Sequence, residues 1–168
     1  PLHIQKQDSI DVLYFNTPQE KFKGVNYESL SSLDSLSNNY DIVYFIAAYI
    51  PHGESFNEYK AIFEANIELV VKACKKFLSA RLIFCSSVSV YGSNSLNVTE
   101  EDHFISPNLY GLSKIAGEAI IRLHPSHAII RFSSIYAAEM KAKTFLPLIV
   151  DSAINKGVIT LINDPMRT

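Results

Sequence analysis

Residues 110–114 read YGLSK, so Tyr110 and Lys114 stand four positions apart and, on a helix, put a phenol and an ammonium on one face. With nine Tyr in 168 residues such a spacing arises readily by chance and identifies nothing alone. Its weight comes from SSVSVYG (86–92), which continues directly from the apolar run RLIFCS and gathers hydroxyls where a strand should end. The chain between Ser87 and Tyr110 is long enough to loop over a sheet edge and begin a helix. A strand-end serine then faces a helix-borne tyrosine and lysine.

The chemistry this triad suits is hydride transfer at a carbinol carbon, where a base takes the hydroxyl proton as hydride leaves for a nicotinamide ring. A phenol with a reference pKa near 10 is a poor base at neutral pH. Bringing it to about 7 takes roughly 4 kcal/mol of differential stabilisation of the phenolate. Lys114, one turn away and joined by the positive ring of an oxidised nicotinamide, is the source expected. Ser87 would hold the reacting oxygen by a hydrogen bond and steady its charge.

The elements that must position these groups are visible as short apolar runs separated by helical patterns. IDVLYF (10–15), DIVYFIAA (41–48), RLIFCS (81–86), HAIIRF (127–132) and VITLI (158–162) read as strands covered on both faces. Helices are expected over 57–78, where Ile62, Phe63, Ile67, Val70, Val71, Cys74 and Leu78 recur at three- and four-residue steps, over 110–123, and over 145–154. Buried strands alternating with helices imply an α/β fold, a parallel sheet with helices on both faces, and ligands at the carboxyl ends of the strands. The Ser- and Asn-rich segment 27–39 reads as a short surface helix or turn.

Composition narrows the partners. The chain is 48% hydrophobic and its length suits one core. Net charge is −2 with scattered basic residues, which argues against nucleic acid or an anionic membrane as partner. The longest apolar run, IVYFIAAYI (42–50), is about half the roughly 20 residues a spanning helix requires, and a cytoplasmic location is expected. Cys74 and Cys85 read as small core residues in a reducing compartment. Pro125 between His124 and His127 breaks the register a metal pair would use, so no metal is expected. The acidic run Glu100, Glu101, Asp102 reads as a solvated loop.

RLIFCSSVSVYG, VTEED, SPNLYGLSKIAGE and AIIRFSSIY, in that order, resemble consecutive blocks of the extended short-chain dehydrogenase/reductase family, specifically its NAD-dependent epimerase/dehydratase branch acting on nucleotide sugars. The similarity covers roughly residues 41–168, and its specificity lies in order and spacing together. It implies a Rossmann-like doubly wound parallel sheet, with Ser87, Tyr110 and Lys114 catalytic and NAD as cofactor. It further implies that Ala47 and Ala48 let the dinucleotide pass close to backbone, and that Asn66, Ser86, Tyr110 and Lys114 lie at the cofactor. Ser87, Tyr91, Ser134 and Arg167 are implied at the nucleotide-sugar substrate, and a homodimer through the helices at 57–78 and 110–123.

The departures from the family pattern carry information too. The glycines at 24, 53, 92, 111, 117 and 157 form no glycine-rich strand-to-helix turn, so the first strand and that turn are expected to precede Pro1. Residues 1–140 then read as an N-terminally incomplete NAD(P)-binding domain and 141–168 as the start of a sugar-nucleotide-binding region. Asn16 follows IDVLYF where an acidic residue usually binds the ribose, leaving NADP open beside NAD. Ser134 and Ala137 replace an asparagine and a glycine. After Ser87 come Val88 and Ser89 rather than the Asp-Glu pair of sugar dehydratases, which disfavours dehydration and leaves epimerisation through a transient 4-keto sugar or keto-sugar reduction; SSVSVYG most resembles the 4-epimerase version. The alternatives are an NADP-dependent keto-sugar reductase and a non-catalytic relative that keeps the fold for binding or regulation.

Overall fold

The computed structural model describes residues 9–15, 21–52, 55–92, 98–102, 105, 107–136 and 145–158. All strand pairings are parallel: β1 (Ile10–Tyr14) with β2 (Val25–Ser29), and β4 (Arg81–Ser87) between β3 (Ile42–Phe45) and β5 (His127–Phe132). Parallel neighbours cannot be joined by a tight turn, so each step needs a crossover. The helical stretch Phe56–Lys76 supplies it between β3 and β4, and α3 (Leu109–Ile121) between β4 and β5. The parallel α/β arrangement expected from the alternating pattern is present, as is the Rossmann-like fold that the resemblance implied.

Among the described residues the strands form two sheets, β1-β2 and β3-β4-β5, that share no ladder. An apolar core joins them: Leu13, Leu33, Leu36 and Tyr40 pack with Phe45, Val70, Phe77, Leu82 and Phe84. The Tyr40 ring meets Phe77 edge-on at 5.6 Å, while its hydroxyl donates to Asp11 of β1 at 2.5 Å. Along β4, Leu82, Phe84 and Ser86 are buried toward the helices, as a period of two requires. On the opposite face Ile42, Tyr44, Ile130 and Phe132 stay exposed among the described residues, so the helix cover expected on both faces is seen on one.

The helix expected over 57–78 is three pieces. α1 (Phe56–Ile62) runs into a π-helical stretch (Phe63–Glu68) and then α2 (Leu69–Lys76). Phe63 and Leu78, placed on the buried stripe by their spacing, are exposed. Phe63 opens the wider π turn and lines a surface groove with Tyr59, Leu109 and Leu112. Leu78 lies past the helix end, where Phe77 takes the core position instead.

The segment 27–39 contains the short helix expected there, preceded by strand residues that were not expected. Its first residues complete β2, and the next turn of chain, Leu30–Ser35, is 3-10 helical. VNYES alternates half-buried and exposed positions beside β1 and so lacks the continuous apolar run that marks the other strands. α4 (Phe145–Asp151) is prolonged by a π turn to Lys156 and stopped by Gly157 at φ 64°. The strand expected at 158–162 lies outside the described residues apart from Val158. No described helix is long and apolar enough to cross a membrane.

Candidate active site

Helix α3 begins where Asn108 accepts the Gly111 N–H at 2.8 Å, and its buried face carries Gly111, Lys114, Gly117, Glu118 and Ile121. Two of these residues decide how close the helix comes. A methyl on Gly111 would lie 2.2 Å from the Ser89 carbonyl oxygen, and one on Gly117 would lie 2.6 Å from the Phe84 ring. The helix therefore lies directly on β4 and on the 3-10 turn Val88–Tyr91 that follows it. This contact brings YGLSK and SSVSVYG together at the carboxyl end of β4.

Lys114 is 2% exposed and donates from Nζ to the Cys85 carbonyl at 2.8 Å, with the ammonium 4.8 Å from the Phe84 ring centroid and 5.7 Å from that of Tyr110. Burial drives its pKa down to about 8, against the electrostatic influence of the Cys85 thiol and the Glu118 carboxylate. Tyr110 is half-buried, and burial pushes its phenol up rather than down. The phenol is desolvated, and the Lys114 ammonium is hydrogen-bonded to a backbone carbonyl. Ser87, in extended backbone, accepts the Ser89 N–H at 3.1 Å and shares a 3.1 Å hydroxyl contact with Ser89 Oγ. Its side chain leaves β4 on the face opposite Ser86.

Ser86 and Tyr91, expected at cofactor and substrate, are each hydrogen-bonded to a side chain of another element. Ser86 turns toward α3 and donates to Glu118 Oε1 at 2.6 Å. Tyr91 accepts a hydrogen bond from Arg131 Nη1 at 2.7 Å, beneath a guanidinium 4.9 Å from its ring centroid. Both are buried, and Tyr91 shapes the turn that Gly92 closes at φ 64°. The partners, Glu118 and Arg131, were not singled out from the sequence. Their signals were a carboxylate one turn after Lys114 on the same face and a charge inside the apolar run HAIIRF.

Asn66 sits in the π stretch, a kind of helical irregularity that often marks function. Its Oδ1 accepts the Tyr49 N–H at 2.7 Å, while Nδ2 donates to Tyr49 O and Ser113 Oγ, each at 2.9 Å. Ser113 in turn donates to Tyr110 O at 2.7 Å. With both amide hydrogens used, Asn66 pins the segment after β3 to the helix that carries Tyr110. That segment holds Ala47 and Ala48, both exposed at the carboxyl end of β3. Ser134 is exposed beyond β5, and Arg167 lies outside the described residues. Cys74 and Cys85 are free thiols, half-buried rather than fully within the core. His124 is buried and bridges the Phe77 and Ser126 carbonyls. Among the described residues no group of His, Cys, Asp and Glu could hold a metal ion.

Comparison with known proteins places this geometry. The family model described as "RmlD substrate binding domain" matches residues 4–168. The uncharacterized UDP-glucose epimerase YtcB of Bacillus subtilis (strain 168) is 23% identical over 162 residues, covering 90% of this chain and 51% of that protein. Among solved structures, MoeE5 in complex with UDP-glucuronic acid and NAD superposes with TM-score 0.70 at 20% identity, covering 86% of this chain and 52% of that one. UDP-glucuronic acid 4-epimerase from Bacillus cereus, in complex with NAD, gives 0.67 at 22%, covering 78% and 46%. At these identities the structural likeness speaks for the fold. The chain spans about half the length of these relatives.

Proposed function

We propose that this chain, which belongs to the RmlD substrate binding domain family and to the extended short-chain dehydrogenases/reductases, serves NAD-dependent epimerisation of a nucleotide sugar through a transient 4-keto intermediate. The observation that carries the reading is the seating of Gly111 on the Ser89 carbonyl, which sets Tyr110, Lys114 and Ser87 at one strand end. Relatives whose names include UDP-sugars, NAD and 4-epimerase support it. Val88 and Ser89, standing where dehydratases carry an acid pair, favour epimerisation over loss of water.

The residues present fit a dinucleotide. Ala47 and Ala48 leave the backbone approachable at the end of β3, and Asn66 holds that segment against α3. NAD bound there would accept and return the hydride. Tyr110 takes the carbinol proton as base and gives it back as acid, while Ser87 hydrogen-bonds the same oxygen. Burial raises the phenol, and positive charge beside it, from Lys114 and from an oxidised nicotinamide ring when bound, would favour the phenolate that acts as base.

Tyr110→Phe tests the mechanism in the full-length protein with a panel of UDP-, GDP- and dTDP-sugars. Turnover falls by about 10²- to 10⁴-fold while NAD affinity is unchanged, and retained turnover refutes the assignment. The exposed groove of Tyr59, Phe63 and Leu112 between α1 and α3 supports a homodimer through these helices. Sedimentation of a monomer at micromolar concentration would exclude it.

A further inference from the structure

We infer that Glu118, clasped by Arg131, is the positioning residue of this site, setting the helix that carries Lys114 in register with the end of β4. The inference rests on the function proposed above. Its basis is one carboxylate, nearly inaccessible, that draws three elements to itself. Glu118 Oε1 receives Ser86 Oγ at 2.6 Å and Arg131 Nε at 2.9 Å, and Oε2 receives Arg131 Nη2 at 2.7 Å, with Arg122 Nη2 further out at 3.7 Å. The guanidinium spans both oxygens, the strong fork-on-fork geometry. Its Nη1 continues to Tyr91 Oη at 2.7 Å and to the Glu100 carbonyl at 3.0 Å. Helix α3, the end of β4, the turn after it and strand β5 thus converge on a single ion pair.

Stability alone does not account for such a pair, because desolvating two charges costs about what their attraction returns, and apolar residues would pack as well. A fully satisfied polar network does specify one geometry. What it specifies here flanks it on both sides. Lys114 lies one turn before Glu118 on the same helix face. Ser86, its hydroxyl held by Glu118, sits between Cys85, whose carbonyl accepts Lys114, and Ser87. One carboxylate therefore governs both the lysine and the serine.

The surroundings of Lys114 give the inference a readout beyond folding. The groups facing it are Tyr110 and Glu118 from its own helix and Phe84 and Cys85 from β4, with Arg131 and Arg122 beyond Glu118. Burial lowers the lysine, and the Glu118 charge is one of two influences that oppose this. Removing that charge without changing the side-chain shape must move the lysine further down.

Glu118→Gln is the test, followed by the ¹³Cε shift of Lys114 against pH in the full chain and identified by its loss in Lys114→Arg. The midpoint, about 8 in the parent, moves to lower pH in the variant. With nucleotide sugar and NAD, kcat falls roughly 10- to 100-fold while KM stays within about threefold. An unmoved midpoint, or an unmoved kcat in an active protein, overturns the inference. Should Glu118→Gln not fold, Ser86→Ala takes its place. A moved Lys114 midpoint at unchanged melting temperature supports the inference, and an unmoved one overturns it. If the parent turns over no nucleotide sugar, the proposed function falls while the titration still decides the positioning role.

Discussion

The β1-β2 sheet and the α3-β4 contact hold their parts together by different means. On the β1-β2 side Leu13, Leu33, Leu36 and Tyr40 bury against the common core, and the polar cluster of Asp11, Asn26 and Tyr40 lies at the margin, with Asn26 donating to Asp11 at 2.8 Å. On the α3-β4 side Asn66, Ser86, Ser113, Lys114 and Glu118 are all buried, and the backbones approach until no methyl fits between Gly111 and Ser89. Apolar contact is non-directional and tolerates small adjustments. Buried hydrogen bonds and a backbone approach do not. The contrast explains why the groups able to do chemistry are collected at the second contact: there, position is most tightly specified.

Substitutions in the two regions should therefore differ in size and sign. The largest effect belongs to Gly111→Ala. Gly to Ala within a helix ordinarily stabilises by about 1 kcal/mol, yet here the new methyl meets a backbone carbonyl that cannot swing aside. A loss of about 3 kcal/mol in urea unfolding is expected, and a gain would show that the close approach is dispensable.

Next comes Lys114→Met. A lysine pKa of about 8 in place of 10.5 means that holding the ammonium buried costs about 3 kcal/mol, at about 1.36 kcal/mol per pH unit. Allowing about 1 kcal/mol for the lost bond to the Cys85 carbonyl, the variant is more stable than the parent by about 2 kcal/mol at pH 7, although inactive. Between pH 8 and 10.5 the unfolded parent binds more protons than the folded one, so the parent gains stability as pH rises. The advantage of the variant accordingly shrinks between pH 7 and 9.5. Paired melting curves across that range check the sign.

The smallest effect lies in the other region. Tyr40→Phe keeps the ring on Phe77 and removes one marginal hydrogen bond, so a loss of about 1 kcal/mol or less is expected. The bonds from Tyr40 and then Asn26 hold the Asp11 carboxyl below its usual value, and the same bond pushes the Tyr40 phenol up to about 12. Stability from a lowered carboxyl is present above its unfolded pKa of about 3.9 and is lost as pH falls through the folded value. Parent and variant should converge in acid. Chemical denaturation at pH 7 and pH 3 would reveal any divergence.

Much of this architecture could be read from local pattern. Apolar runs located β1, β3, β4 and β5 to within a few residues, and HAIIRF coincides with β5. The strand-end serines and the YGLSK helix start were visible for the same reason, as side chains at fixed steps along an element. β2 escaped because VNYES is half polar and gains its strand character from pairing with β1. The π stretch escaped because a seven-residue stripe does not reveal an extra residue in one turn. Glu118 and Arg131 escaped because each reads as an ordinary surface charge until the other is placed beside it.

Ser86 and Ser87 show where the division falls. Alternation along a strand already requires these neighbours to point to opposite faces, and composition already requires a buried serine to find a partner. Which of the two turns inward depends on the face α3 covers, and α3 covers it because Gly111 and Gly117 allow the helix to descend onto β4. The periodicity of an element is a local property and travels with the chain. The partner of a buried polar group belongs to elements distant in sequence, and only their packing brings Arg131 to Glu118, Lys114 to the Cys85 carbonyl and Asn66 to Ser113.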